Sequence, residues 1–466
     1  MAPGGPTLPV GRRGARALVR RGVQHRRPPC RQLRPGGSDP APRRPPAGVR
    51  LGRPRGWTRR RRRRLVSGTR ARARLGGAGR LLLPGLITIL LIAPSLLPGT
   101  LAFAIRRDFD LSVTTIGAAV SGYYLLSTVA TRAAVPLARR YDPLTMTRAC
   151  LLTSAICVPA SALLGTTGAL LAGCLIAGTT NGLATPSANM LIALNVPERH
   201  RGLAFGIRVS AVPGAAGLCA LAAYVVATHD VAWPAAYLAY GLACLVGIGC
   251  TFLAPPTTLA DTEDEAEGAN GASRGGTLHI LAAGGLLASI AGSATSPFLV
   301  DGLIAGGADP GAAALLFGLS AWIGVSARII AGIVADRVPG AVLHLVAAAG
   351  LLVFGSVGML ILGFGRGTPM LAVGTVLTFA LGWAWPGLLH HATLTVHRTQ
   401  MARATAALQT GTYVGALIGP LGFGLIVEHL SFTWAWSGYA TMLLASAAML
   451  ALASRRVRRA GERAVP

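Results

Sequence analysis

The sequence contains no lysine: all 44 of its basic Lys/Arg residues are arginine. Acids are scarcer still, 16 in 466 residues, and charged residues make up 13% of the chain against 52% hydrophobic. A water-soluble globular domain carries about 25% charged residues, so this composition excludes one. There are seven cysteines, and neither a CxxC nor a Cys/His spacing. That leaves no basis for a zinc site or a disulfide framework. The chain also lacks a nucleophile and base pair, a metal cluster and a Gly-rich phosphate loop; it is not expected to be an enzyme or to hold a cofactor.

The formal net charge of +28 is concentrated at one end. Residues 1–80 hold 24 of the 44 arginines, including the run Arg59 to Arg64, and one acid, Asp39. This extension is rich in Pro, Gly and Arg and has no apolar period, so it is expected to be a disordered cytoplasmic segment. A polybasic strip along anionic lipid is the next reading, because a membrane segment follows directly. Nucleic acid is not expected as a partner, since Trp57 alone offers a base a stacking surface. Nor is a secretory leader expected: the first apolar run is too long and lacks a small-residue cleavage site.

What the chain does have is apolar length. From Leu81 to Ala453 it reads as twelve stretches: 81–105, 114–136, 147–166, 168–192, 203–227, 232–254, 278–300, 311–335, 341–364, 368–393, 403–427 and 433–453. About twenty apolar residues in a helix span the ~30 Å hydrocarbon core of a bilayer. The pattern predicts an all-α polytopic membrane protein of twelve transmembrane helices. With the N-terminus inside, twelve arginines fall in inner loops and the C-terminal tail, and Arg106, Arg107 and Arg366 fall outside. That asymmetry predicts an inner (plasma) membrane protein with both termini cytoplasmic.

Residues 255–277 form the long internal linker, with Pro255, Pro256 and the cluster Asp261, Glu263, Asp264, Glu265 and Glu267. It divides the spans into six-helix bundles at 81–254 and 278–453, followed by a basic tail at 454–466. The bundles echo each other at an offset near 200 residues: Val135-Pro-Leu-Ala-Arg-Arg140 against Gly332-Ile-Val-Ala-Asp-Arg337, and Gly206-Ile-Arg-Val-Ser210 against Ala406-Ala-Leu-Gln-Thr410. Two six-helix pseudo-repeats around a midplane site follow.

The layout, the central linker and Gly332-Ile-Val-Ala-Asp-Arg337 together resemble the major facilitator superfamily, whose signature between the second and third helices of each half is Gly-x-Leu-Ala-Asp-Arg. The segment Pro186-Ser-Ala-Asn189, followed by Val196-Pro-Glu-Arg-His-Arg-Gly-Leu-Ala-Phe-Gly-Ile207, is similar to a bacterial branch containing cyanate-transporter-like proteins. The resemblance implies transport by alternating access. It implies gating roles for Asp336 and Arg337; in the first half the matching position is Arg139, which cannot make the same contact.

Within the spans, arginine outnumbers acid. Arg148 and Arg403 are expected to snorkel to the inner face. Arg132, Arg208 and Arg328 lie deeper, where a guanidinium suggests a functional site. Arg328 ranks first: Ala327-Arg-Ile-Ile-Ala-Gly332 resembles the eighth-helix arginine of monocarboxylate transporters, although the acid one turn earlier in that family is Gly324 here. Asn181, Asn189, Trp385, Gln409 and Tyr413 are further substrate-binding candidates, with Tyr123, Tyr124 and Trp383 able to face the same cavity. His390 and His391 are candidate proton carriers because imidazole titrates near neutrality. Asp301, at an outer helix end, is the acid that comes nearest to that role. Gly411, Gly415, Gly419, Pro420 and Gly422 form a small-residue stripe predicting close helix approach.

The expected function is secondary transport of a small solute across the bilayer, the cargo being a small organic or inorganic anion, with a proton as one candidate coupling ion. An exporter of drugs or hydrophobic metabolites is the alternative, and a non-transporting receptor or scaffold the alternative of another class.

Overall fold

A computed structural model of the chain describes residues 77–109, 111–138, 141–196, 198–254, 275–338, 340–397 and 400–462. The basic extension up to residue 76 and most of the acidic linker, 255–274, lie outside the described residues. The elements are all helical: α1a (Gly77–Ile92), α1b (Leu97–Thr100), α1c (Ala102–Asp108), α2 (Val113–Ala138), α3 (Pro143–Leu163), α4 (Thr167–Asn195), α5 (Glu198–Thr228), α6 (Pro234–Thr251), α7 (Gly275–Ala305), α8 (Pro310–Arg337), α9 (Ala341–Phe364), α10a (Thr368–Thr375), α10b (Trp385–Val396), α11 (Met401–His429) and α12 (Phe432–Glu462). Among the described residues 11 spans are long and apolar enough to cross a membrane, and Leu82–Ser95 is a shorter apolar run.

Large apolar side chains face outward, as a lipid solvent requires: Val129, Ile156, Leu242, Ile330 and Phe354 are each more than half exposed. Buried hydroxyls are satisfied within their own helices. Thr100, Thr375 and Thr393 each donate to the carbonyl four residues back, which keeps these hydroxyls from standing bare in hydrocarbon.

Glycine sets how closely the helices pack. Gly411, Gly415 and Gly419 recur every four residues on α11, and a Cβ on each would strike the carbonyl oxygens of Ala282, Leu286 and Ile290 on α7. The predicted stripe is therefore the α7–α11 contact. Gly178 and Gly182 of α4 lie in the same way on Tyr123 and Ser127 of α2.

Two spans expected as continuous helices are interrupted. In the first, Pro94 and Pro98 each lack an amide proton for the residue four back, and a 3-10 turn at Ala93–Ser95 separates α1a from α1b. In the tenth, a π-turn over Val376–Leu381 leads to a new start at Trp385, followed by Pro386. Here the backbones of Gly355 and Gly382 come together closely enough that neither has room for a side chain. The last helix continues to Glu462, so Arg455 to Arg459, expected in a tail, extend it instead; arginine is a good helix former.

Candidate functional site

The proline rule accounts for the geometry at the first break. Pro94 deprives the Leu90 carbonyl of its helical donor, and Tyr240 supplies one from α6 at 3.0 Å. Pro98 does the same to the Pro94 carbonyl, which accepts from the Cys174 thiol of α4 at 3.6 Å. Tyr123 of α2 donates to Leu91 at 2.8 Å, and Cys219 of α5 donates to Ala93 at 3.8 Å. Side chains from four neighbouring helices therefore hold α1 open at mid-span. Ser95, within the break, hydrogen-bonds Tyr124.

Arg328 of α8 is buried, with 8% of its surface exposed. Its Nε donates to the Trp383 carbonyl in the α10 break at 3.1 Å, and its Nη1 donates to the Val209 carbonyl of α5 at 2.9 Å. The guanidinium also stacks on the Trp383 ring, 4.8 Å from the centroid. Two charge-assisted bonds of about 1.5–3 kcal/mol each tie a broken helix of the second half to α5 of the first. Such a contact can be made and released as the halves move.

Arg208, one residue before Val209, differs. It is partly buried, its Nε is sealed from solvent, and no hydrogen-bond or ion-pair partner is found for it among the described residues. The phenol of Tyr413 on α11 lies within its electrostatic reach and within that of Tyr124. The indole N–H groups of Trp383 and Trp385 are likewise buried without a partner. All three orphans are donors and none can accept. Gln409, one turn before Tyr413 on α11, is partly buried.

The remaining candidates are placed elsewhere. Asn181 is occupied within the first half, donating to Ser127 at 2.7 Å and facing Thr185. Arg132 is exposed on α2, and Arg337 is exposed at the end of α8. The side chains of Asn189 and Asp336 lie outside the described residues. Arg148, expected to snorkel, instead caps the end of α6: it donates to the Thr251 hydroxyl at 2.8 Å and carbonyl at 3.0 Å, and lies over the Phe252 ring. The freed carbonyls of a helix C-terminus favour a cation there.

Asp301 forms the one ion pair among the described residues, with Arg106 of α1c at 3.0 Å. A cavity of about 420 Å³ beside it is lined by Phe103, Arg106, Arg107, Asp301, Ile304 and Phe432, among others. At the same end the Thr114 amide of α2 donates to Glu428 of α11 at 3.0 Å. First- and second-half helices are thus joined at this end by charge.

His390 bonds the Pro386 carbonyl through Nδ1 at 2.8 Å, a local bond within α10b. His391 reaches across to His344 of α9, with Nδ1 to Nδ1 at 3.1 Å. The sequence reading missed His344 and Ser95. Ser95 could have been found from two prolines four residues apart inside one span; a lone histidine at a helix start carries no such signal.

Residues 85–278 and 281–466 match the Major Facilitator Superfamily. No curated protein matches the chain in sequence. Among solved structures it is similar to a D-xylose-proton symporter, with TM-score 0.62 and 15% identity over 80% of this chain and 97% of that one. It is also similar to a bacterial homologue of the human lysosomal transporter Spinster in an inward-facing, unoccupied conformation, with TM-score 0.62 and 16% identity over 84% and 99%. A third is the nucleoside transporter NupG, with TM-score 0.60 and 13% identity over 81% and 98%. At these identities the structures speak to the fold alone. With the family match covering nearly all of the described helices, the chain belongs to the Major Facilitator Superfamily and is a multi-pass membrane transporter.

Proposed function

We propose that the protein is a secondary transporter of a small organic or inorganic anion, working by alternating access in an inner membrane with both termini cytoplasmic, and that Arg208 is the group that receives the anion. The observation that carries this reading is the contrast between two arginines. Arg328 spends two of its nitrogens on carbonyls, whereas Arg208 has a sealed, unpartnered Nε within electrostatic reach of the Tyr413 phenol. An unpaired cation at span depth is costly, and a bound anion would relieve that cost. In this orientation the end joined by Arg106–Asp301 and Thr114–Glu428 is the outer one.

Thermal-shift titration of the purified chain with benzoate and with cyanate tests the proposal. Arg208→Ala should abolish the ligand-induced shift while leaving the unliganded protein folded. Arg208→Lys should weaken affinity by about tenfold or more, because an ammonium lacks the planar two-pronged donor geometry. Unchanged affinity in Arg208→Ala would remove Arg208 from the site. The arginine asymmetry of the loops supports the orientation, and cysteines introduced in the 255–277 linker should resist impermeant thiol reagents in intact cells.

A further inference from the structure

The contact between His344 and His391 has a property that neither residue has alone. The two Nδ1 atoms stand 3.1 Å apart, with the ring centroids 4.7 Å apart and the planes near perpendicular. At that separation one Nδ1 must carry a hydrogen and the other a lone pair. His344 is 1% exposed, and His391 is partly exposed. The far nitrogen of His344, Nε2, is buried without a hydrogen-bond partner, and the Val338 backbone, directly after Arg337, lies near the ring.

One arrangement places the free lone pair on the more exposed ring. His391 donates from Nδ1 to Nδ1 of His344, and His344 holds its own hydrogen on Nε2. The remaining lone pair is Nε2 of His391, on the half-open ring. A proton arriving there makes His391 an imidazolium, and its bond to His344 becomes charge-assisted and stronger. A second proton could go only onto Nδ1 of His344, setting two N–H groups and two positive charges against each other.

We propose that His344 and His391 form a one-proton site that fastens the segment after the Gly332–Arg337 signature to α10b, the inner limb of the broken tenth span. The first proton tightens the link between α9 and α10b, and the second opens it. The ionisable groups toward this end of the elements packed around the pair are His279 near the start of α7, Asp336 and Arg337 at the end of α8, His390 and His397 along and after α10b, Arg403 near the start of α11, and Arg455, Arg456, Arg458, Arg459 and Glu462 toward the end of α12. His390 is held by its bond to Pro386, and the excess of arginine opposes the second proton further. That this proton is the coupling ion rests on the transport reading above; the existence of the site does not.

The test is nitrogen NMR of the full chain labelled with ¹⁵N-histidine in lipid nanodiscs, titrated with acid and without added cargo. The expected result is two well-separated steps for the pair, about one pH unit apart or more, His391 first, with a hydrogen-bonded Nδ1 signal lost only at the second. In His344→Phe that signal should be absent and His391 should titrate in a single step. Because His344 is buried, His391→Phe provides an independent removal at a half-exposed position. Hydrogen exchange supplies a second readout: amides of 340–345 and 387–396 should exchange faster in both variants, and in the native chain below the second step. Independent titration of the two rings over one pH range, or a His391 signal indifferent to His344→Phe, would overturn the site. If the two steps are seen but no anion binds, the cargo reading fails and the proton site stands.

Discussion

The second helix of each half sends a side chain to the fourth, and the two contacts occupy the same place in the repeat. In the first half Thr131 of α2 lies 3.3 Å from the Gly182 carbonyl of α4. In the second half Arg328 of α8 bonds the Trp383 carbonyl of the tenth span at 3.1 Å. Thr131 and Arg328 are separated by 197 residues and Gly182 and Trp383 by 201, the offset of the sequence repeat. A threonine also satisfies its own helix, through the Ser127 carbonyl at 2.8 Å, and stops there. An arginine is long enough to continue to Val209 in the other half. The duplicated position thus became a packing contact in one copy and an inter-half brace in the other. Val209 is matched across the repeat by Gln409, 200 residues on.

The largest expected effect comes from erasing that difference. Arg328→Thr copies the first-half residue into the second and strips two buried carbonyls of a charged donor, so stability should fall by about 2–4 kcal/mol. Thermal unfolding in detergent measures it. Affinity for an anion bound at Arg208 should change by less than about threefold, since Arg328 faces backbone on both sides; in energy that is under ~0.7 kcal/mol. A total loss of binding with an unchanged melting temperature would make Arg328 a ligand group and reverse the assignment.

A smaller effect is expected where the pseudo-symmetric junction α2–α11 is made without charge at span depth. Gly117 of α2 lies on the Pro420 carbonyl and Gly424 of α11 on Val113, so these helices touch backbone to backbone. Ser121 adds a bond from the Leu421 amide at 3.1 Å. Gly117→Val would wedge them apart at a cost of about 1–3 kcal/mol. It should also shift the balance of conformations, which double electron–electron resonance between labels on outer loops can read. If distances across the outer end are the same in Gly117→Val and the native chain, this junction is not a moving part.

Much of this fold was legible because bilayer physics writes itself into length and charge. Spans of about twenty apolar residues, loop arginines and a 200-residue offset follow from hydrocarbon thickness, orientation and duplication. The glycine stripe on α11 was readable for the same reason, since only absent side chains allow the approach seen against α7. What escaped were matters of partnership. Arg328 stands in a run that invites a ligand role, and nothing in its neighbours names Val209 or Trp383 as its partners. Arg208 was legible as a deep arginine but not as one whose Nε is sealed without a partner; its helix, read from residue 203, begins at Glu198. His344 met His391 only through the packing of α9 on α10b. Periodicity reports which face is buried, not which polar atom waits on the facing helix.

The smallest expected effect tests the other side of the comparison. Thr131→Val keeps the shape of the side chain and removes its hydroxyl, so α2 loses one bond to Gly182 of α4 and one to its own Ser127 carbonyl. Side-chain hydrogen bonds between membrane helices average about 0.6 kcal/mol, and the self-helical bond is of little consequence to packing. Gly178 and Gly182 already hold α2 and α4 at backbone contact, and Asn181 bonds Ser127 beside them, so the pair has other fastenings. The melting temperature should therefore move by only a degree or two, in line with a loss under ~1 kcal/mol for a chain of this size. Transport of any cargo found by the binding screen should be intact, because both hydrogen bonds of Thr131 stay within the first half. A loss comparable to that of Arg328→Thr would mean that both copies of this position brace the halves, and that the divergence between threonine and arginine changed the chemistry of the contact without changing its role.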